Sequence, residues 1–290
     1  ATTEIYTLSL HDALPIYLCY SIVNEGKLDL LNNKEGFMET SDFYGTEKVS
    51  RILLKIAPPV MLAQLIQALY NIVDSFFVGK YSETGLTALS IIYPVQLLMI
   101  ALGVGTGVGI NTDMAYYLGI GKKKKAEEVA GTGTPLGLIL WIIFAAVCYV
   151  TLPAYAGMST DSPEVIRDVV AYGRIVCLFS IGLFTEGIWS KILQAEGDMR
   201  TPMIAQIAGA VVNIILDPLL IFGMLGMPEM GISGAAVATV SGQIVAALIV
   251  MKKAWYRSPR RSCYPGHIKR IYQLGIPNII MQSAYTLYIL

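Results

Sequence analysis

The chain has 290 residues, 54% of them hydrophobic and 14% charged, with a mean hydropathy of +0.58 and a formal net charge of zero. A soluble domain carries nearly twice that share of charge, so the composition excludes an ordinary soluble globule and points to a membrane protein. Balanced charge supplies no basic field for nucleic acid, and Cys19, Cys148, Cys177 and Cys263, with His11 and His267, lack the spacing of a disulfide framework or a zinc centre.

Residues 1–37 stand apart from this pattern. The opening "ATTEIYTLSLHDALPI" resembles the read-through translation of a sequencing adapter, and it lacks the basic, apolar and small-residue order of a signal peptide. Residues 1–37 are therefore read as an artefact or disordered leader, with Met38 as the expected start. Six apolar segments follow that reach the roughly 20 residues needed to cross a bilayer. They are Ile56–Gly79, Leu86–Thr112, Val129–Pro153, Val169–Ser190, Met203–Gly223 and Ile232–Met251. Lipid-facing backbone must satisfy its own hydrogen bonds, so each is expected to be a helix; the runs are too long and unbroken for barrel strands. The expected fold is an all-α membrane protein with a six-helix transmembrane lobe over 38–251, a basic loop over 252–270, and the start of a seventh helix over 271–290.

The loops alternate in charge. Lys48, Arg51 and Lys55, then Lys122 to Lys125, then Lys191 and Arg200, and finally Lys252, Lys253, Arg257, Arg260, Arg261, Lys269 and Arg270 fall on one side. The other side has only Lys80 and Arg167 among several acids. The positive-inside rule puts the first side, and the N-terminus, in the cytoplasm of a multi-pass inner (plasma) membrane protein. The chain also repeats itself: "PVMLAQLIQALY" from Pro59 aligns with "PNIIMQSAYTLY" from Pro277, matching at Pro59/Pro277, Gln64/Gln282, Leu69/Leu287 and Tyr70/Tyr288. The repeat falls where a second bundle begins, as in six-plus-six transporters built of parallel repeats. The chain reads as one lobe and the opening of another, whose remainder it lacks.

Two aspartates interrupt the apolar segments. An Asp at a helix centre costs roughly 2.5–3.5 kcal/mol on insertion scales, and such groups face a cavity or a partner. Asp74 lies five residues before the outer end of the first segment and Asp217 six before that of the fifth, so the two share one depth. Asn213, four residues before Asp217, falls on the same helix face. These are hard oxygen donors suited to Na⁺ or to a shared proton, and two carboxylates so placed titrate as a coupled pair. Asp113, Glu186 and Arg174 lie near segment ends and are expected to reach the interface. The run "GVGTGVG" (Gly103 to Gly109) lacks the third glycine of a dinucleotide fingerprint and sits in a span. Gly105-xxx-Gly109, Gly234-xxx-Ala238 and Ala238-xxx-Gly242 instead permit close helix packing. No Walker motif or catalytic triad is present, so the chain is not expected to be an enzyme or a nucleotide-driven pump.

The stretches "IAPPVMLAQLIQALYNIVDSFFVG", "QAEGDMRTP", "VVNIILDPLLIFG" and "GISGAAVAT" resemble the multidrug and toxic compound extrusion (MATE) transporters over most of residues 46–290. The resemblance implies a monomeric twelve-helix protein of two six-helix lobes that exports organic, often cationic, compounds in exchange for Na⁺ or H⁺, with no other cofactor. It implies a coupling-ion site at Asp74, Asn213 and Asp217, joined by Tyr172 on the fourth helix and by Thr239 on the sixth, with Ala235 the competing position. Where Na⁺ is the ion, Asp74, Asn213 and Asp217 are its ligands. Pro59 corresponds to the proline that bends the first helix. Two alternatives stand beside this one. A lipid-linked oligosaccharide flippase needs several intramembrane cations, of which only Arg174 qualifies, and a truncated fragment would not transport.

Overall fold

The computed structural model describes residues 49–259 and 263–289, with side chains described over 57–259 and 263–284. The expected leader and Met38 lie outside the described residues. Among the described residues the regular structure is helical: α1 (Val49–Tyr81), α2 (Glu83–Gly119), α3 (Lys123–Ser159), α4 (Pro163–Leu178), α5 (Ile181–Ala195), α6 (Arg200–Ile221), α7 (Ile232–Ala254) and α8 (Tyr264–Ile289). A single 3-10 turn, Met224–Gly226, joins α6 to α7. By length and apolar composition α1 (from Ala57), α2, α3, α6 and α7 can each cross a membrane, and α4 with α5 passes as one bent span. Each of the six predicted segments falls on one of these spans. The 26-residue α8 does not meet the same measure over its described length, and it begins at Tyr264, ahead of the apolar run from Ile271.

The fourth span corrects the expectation of one unbroken helix over Val169–Ser190. It bends by 45° between α4 and α5. A break inside a membrane frees carbonyls that must find donors. Here the Ser180 hydroxyl donates to the Cys177 carbonyl (2.7 Å) and the Trp141 indole, from α3, donates to that of Leu178 (3.0 Å). The bend lets Gly182 lie against the α7 backbone at Gln243 and Ile244, where a Cβ would come within 2.8 Å.

The buried apolar side chains form two layers. One gathers Ile92, Met99, Phe144, Leu152, Val169, Phe184 and Ile221; the other gathers Ile110, Met114, Ile188, Ile192, Leu193, Val250 and Ile271. Phe184 and Ile188, one turn apart on α5, carry the chain from one layer to the other. Cys148 of α3 and Cys177 of α4, far apart in sequence, are neighbouring buried free thiols. The most extensive helix contacts are α6 with α7 and α2 with α8, and both run over the small residues singled out above. A Cβ on Gly242 would lie 2.5 Å from the Gly209 carbonyl oxygen, and one on Gly234 2.5 Å from that of Leu220. α1 is the loosest member: only 11% of its membrane window is buried, and it leans chiefly on α6.

The stretch "QAEGDMRTP" turns out to be a helix stop followed by a helix start. Gly197, at φ 87, ends α5: its N–H donates to the Gln194 carbonyl (3.0 Å) and that of Asp198 to the Leu193 carbonyl (2.9 Å). This is the double closure in which glycine takes the left-handed position. Asp198 then accepts from the Thr201 N–H (2.9 Å), the Thr201 hydroxyl (2.6 Å) and the Lys253 ammonium of α7 (3.1 Å). Burial opposes ionisation of Asp198, but the Thr201 and Lys253 bonds outweigh it and hold the carboxyl below the usual carboxylate range. A folded-state pKa below the unfolded value of about 3.9 adds stability at higher pH, and that stability is lost as pH falls through the folded pKa. Asp198→Ala is thus expected to lower unfolding stability by about 1 kcal/mol at neutral pH. Thermal unfolding in detergent, followed into acid, should show the two proteins converge.

Candidate ion-coupling site

The bundle holds a polar cluster inside an apolar shell. α6 sets Asn213 and Asp217 one turn apart on one face, and both are buried, Asp217 completely. The Asn213 side-chain N–H₂ reaches Asp217 Oδ1 and Thr239 Oγ1 of α7, each at 3.4 Å. Both bonds are longer than the usual N–H···O range, so the amide is stretched between two acceptors. Asp74, 6% exposed on α1, faces this group closely enough for its charge to act on Asp217 and on Tyr172. Tyr172, buried on α4, accepts a hydrogen bond from the Gln96 amide of α2 (3.1 Å) and interacts with the Thr239 hydroxyl. Five of the helices therefore contribute to one site.

The structure brings all five residues expected at the ion site together: Asp74, Tyr172, Asn213, Asp217 and Thr239. It also separates the two candidates on α7. Thr239 faces Asn213, whereas Ala235 lies in the apolar layer with Ile221 and Ile232. Pro59 sits within α1, which runs as helix through both Pro58 and Pro59.

Among the described residues, three buried oxygens of the cluster have no hydrogen-bond partner: Asp74 Oδ1, Asn213 Oδ1 and Asp217 Oδ2. A buried acceptor left unpaired costs about 1–3 kcal/mol, and more when charged. Two carboxylates and an amide with spare lone pairs meet the demand of a hard, oxygen-seeking cation, or of a proton held between them. The residues present thus fit the group that the sequence pattern implies.

Several members were not found in the sequence. Gln96 is the lone amide side chain in "YPVQLLMIALG", a signal that would have found it. Gln206 is two turns before Asn213 and extends the polar face of α6; it hydrogen-bonds to Glu186, which also accepts from the Ser190 hydroxyl at 2.6 Å. Tyr70 of α1 stands in the combined field of Asp74, Asp217 and Glu186. Glu186 is therefore tied to α6 inside the bundle, a correction to the expectation that it reaches the interface. Asp113 departs further from that expectation, being fully buried and paired with Arg270. Arg174 lies over the Tyr149 ring of α3, 5.0 Å from its centre, with its Nε buried. An arginine spent on a ring is not the wall of cations that a pyrophosphate carrier needs.

The MatE family model matches residues 59–219, more than half of the chain. The Thermotoga maritima protein named "Probable multidrug resistance protein NorM" is 28% identical over 249 residues, which is 82% of this chain and 53% of that protein. The FAD transporter of Shewanella oneidensis is 28% identical over 201 residues, 68% of this chain and 44% of that protein. A solved structure of a MOP superfamily transporter from Pyrococcus furiosus superposes with a TM-score of 0.76 at 24% identity, covering 87% of this chain and 56% of that one; this likeness concerns the fold. The chain spans about half the length of the curated relatives it matches. With the family match lying across the spans that carry Asp74, Asn213 and Asp217, the chain belongs to the MatE family of multidrug and toxic compound extrusion (MATE) transporters, multi-pass membrane proteins and not enzymes.

Proposed function

We propose that this chain is the N-terminal part of a secondary active antiporter that exports organic, often cationic, compounds in exchange for Na⁺ or H⁺. Residues 38–251 form its first lobe, 252–270 the basic cytoplasmic connection, and 271–290 the opening of a second lobe whose remainder supplies the other wall of the substrate cavity. The protein works as a monomer in the inner membrane with its N-terminus in the cytoplasm. The observation that carries the reading is the set of unpartnered buried oxygens on Asp74, Asn213 and Asp217. An entering Na⁺ or proton would satisfy them and neutralise the cluster, and the loosely held α1, with Pro59 as its bend, would repack in response. The ion drives the cycle only through unequal affinity for the two states of the carrier, and rocking of one lobe against the other would then release substrate outward.

The test is efflux by the complete protein in proteoliposomes, with the Na⁺ gradient and the pH gradient imposed separately. One Shewanella oneidensis relative is named for FAD, so the substrates assayed should include that dinucleotide beside organic cations. Efflux driven by either gradient alone is the expected result. Efflux indifferent to both would overturn the antiport reading.

A further inference from the structure

A second buried carboxylate, distinct from the ion-coupling site, joins α2 to α8. Asp113 is completely buried, and the Arg270 Nε approaches its Oδ1 to 2.5 Å, an ion pair. The Arg270 guanidinium also lies over the rings of Tyr116 and Tyr117, at 4.6 and 5.1 Å from their centres. Its side chain remains 39% exposed, so the pair spans from the dry interior to the rim. One turn away on α8, His267 stands 3.7 Å from Glu128 of α3, a second ionic tie whenever the histidine is protonated. Above the pair the two helices touch backbone to backbone. Gly105, Gly109 and Asp113 occupy i, i+4 and i+8 of α2. A Cβ on Gly275 would lie 2.6 Å from the Gly105 carbonyl oxygen, and one on Gly109 would collide with the Ile271 carbonyl. Backbones in such close contact leave little room for small adjustments, because any displacement opens a gap or makes a clash.

We infer that Asp113 and Arg270 form a cytoplasmic latch, which holds the inner mouth of the carrier shut while paired and opens it when both charges pass into water. The inference rests on the two-lobe reading, in which α8 opens the second lobe and this end of α2 faces the cytoplasm. A buried ion pair suits a two-state device. Its Coulombic gain is largely cancelled by the desolvation of both ions, so the paired and hydrated states lie close in free energy. An apolar contact of the same area would favour one state alone. The tyrosine faces orient the guanidinium while it is paired, a task a lysine ammonium performs less well.

The test uses the complete protein with native cysteines replaced and spin labels at two exposed sites, Lys124 at the start of α3 and Lys269 on α8. Electron–electron distance measurements on the parent should show a dominant short population. Asp113→Asn and Arg270→Gln should each move a large share of it to longer distances, Arg270→Lys a smaller share. The exchanged pair Asp113→Arg/Arg270→Asp should return most of it. An unchanged distribution in both single variants, or an exchanged pair that behaves like them, would overturn the latch. Should the single variants fail to fold, cysteines at Glu128 and His267 joined by a short thiol cross-linker give a second measure. Efflux should stop when they are linked and resume on cleavage, and undisturbed efflux in the linked protein would overturn the latch equally. The distances do not depend on an ion gradient. A parent whose efflux ignores both ions, yet whose distances respond as stated, would defeat the antiport reading and leave the latch standing.

Discussion

Asp217→Asn is expected to yield a folded protein that no longer couples efflux to an ion gradient. The substitution keeps the shape of the side chain, and its carbonyl oxygen can still accept from Asn213 in place of Oδ1. What it removes is the charge, and with it the acceptor Oδ2, buried without a partner. A bond to a charged group contributes about 1.5–3 kcal/mol, so ion affinity should fall roughly 10- to 150-fold. Stability should move the other way or not at all, because a buried charge without a full complement of partners is a cost to the fold. Asp74→Asn should behave alike, since Asp74 brings its own unpartnered oxygen and lies within the field of Asp217. The measurement pairs transport with thermal unfolding. A coupling ion that binds the folded parent raises its unfolding temperature with the logarithm of its concentration once that exceeds the dissociation constant, and in both variants the rise should need roughly 10- to 150-fold more ion. If the unfolding temperature of Asp217→Asn still climbs with Na⁺ or with acid as the parent's does, this cluster is not the ion site.

Most of the site was legible because membrane sequence is so restrictive. Charged or amide side chains within apolar runs are rare, and a matched distance from the span ends was enough to pair Asp74 with Asp217 across the bundle. The helical repeat then added Asn213. The same logic could not choose between Thr239 and Ala235, which are four residues apart on one face of α7. The choice depends on the register of α7 against α6, set by the turn at Met224–Gly226, where Gly223, Leu225 and Gly226 all have positive φ. The bend of the fourth span was hidden for a different reason. No proline marks it, and the break is made tolerable by Trp141, a side chain from another helix. Asp113 was misjudged because its partner, Arg270, lies in a segment that reads as a basic loop. Only the docking of α8 on the glycine steps of α2 brings the two together. Local pattern thus revealed what each helix carries, whereas contacts between distant segments decided which polar groups are buried.

Gly242→Ala is expected to damage stability and coupling together, although it adds a single methyl group and changes no charge. The new Cβ would lie 2.5 Å from the Gly209 carbonyl oxygen and 3.4 Å from the Asn213 Cβ. The first contact is with backbone, so it is relieved only by moving α7 away from α6, and overpacking of this kind costs about 1–3 kcal/mol. The movement falls where the site can least absorb it. Thr239 is one turn from Gly242 on α7, and its bond to Asn213 is already 3.4 Å long; a small further separation breaks it. Gly209→Ala, which meets the Gly242 carbonyl oxygen at 2.7 Å, approaches the same seam from the other side and should have the same two effects. Gly157→Ala in α3 supplies the opposite case, with nothing within 4 Å of its Cβ. There the methyl group only restricts the unfolded chain and favours helix, so stability should hold or rise by up to about 1 kcal/mol, with coupling untouched. Unfolding temperatures and ion-driven efflux of the three variants decide the matter. A Gly242→Ala protein as stable as the parent would mean that α6 and α7 are not in the close contact described, and that Asn213 and Thr239 are held by something else.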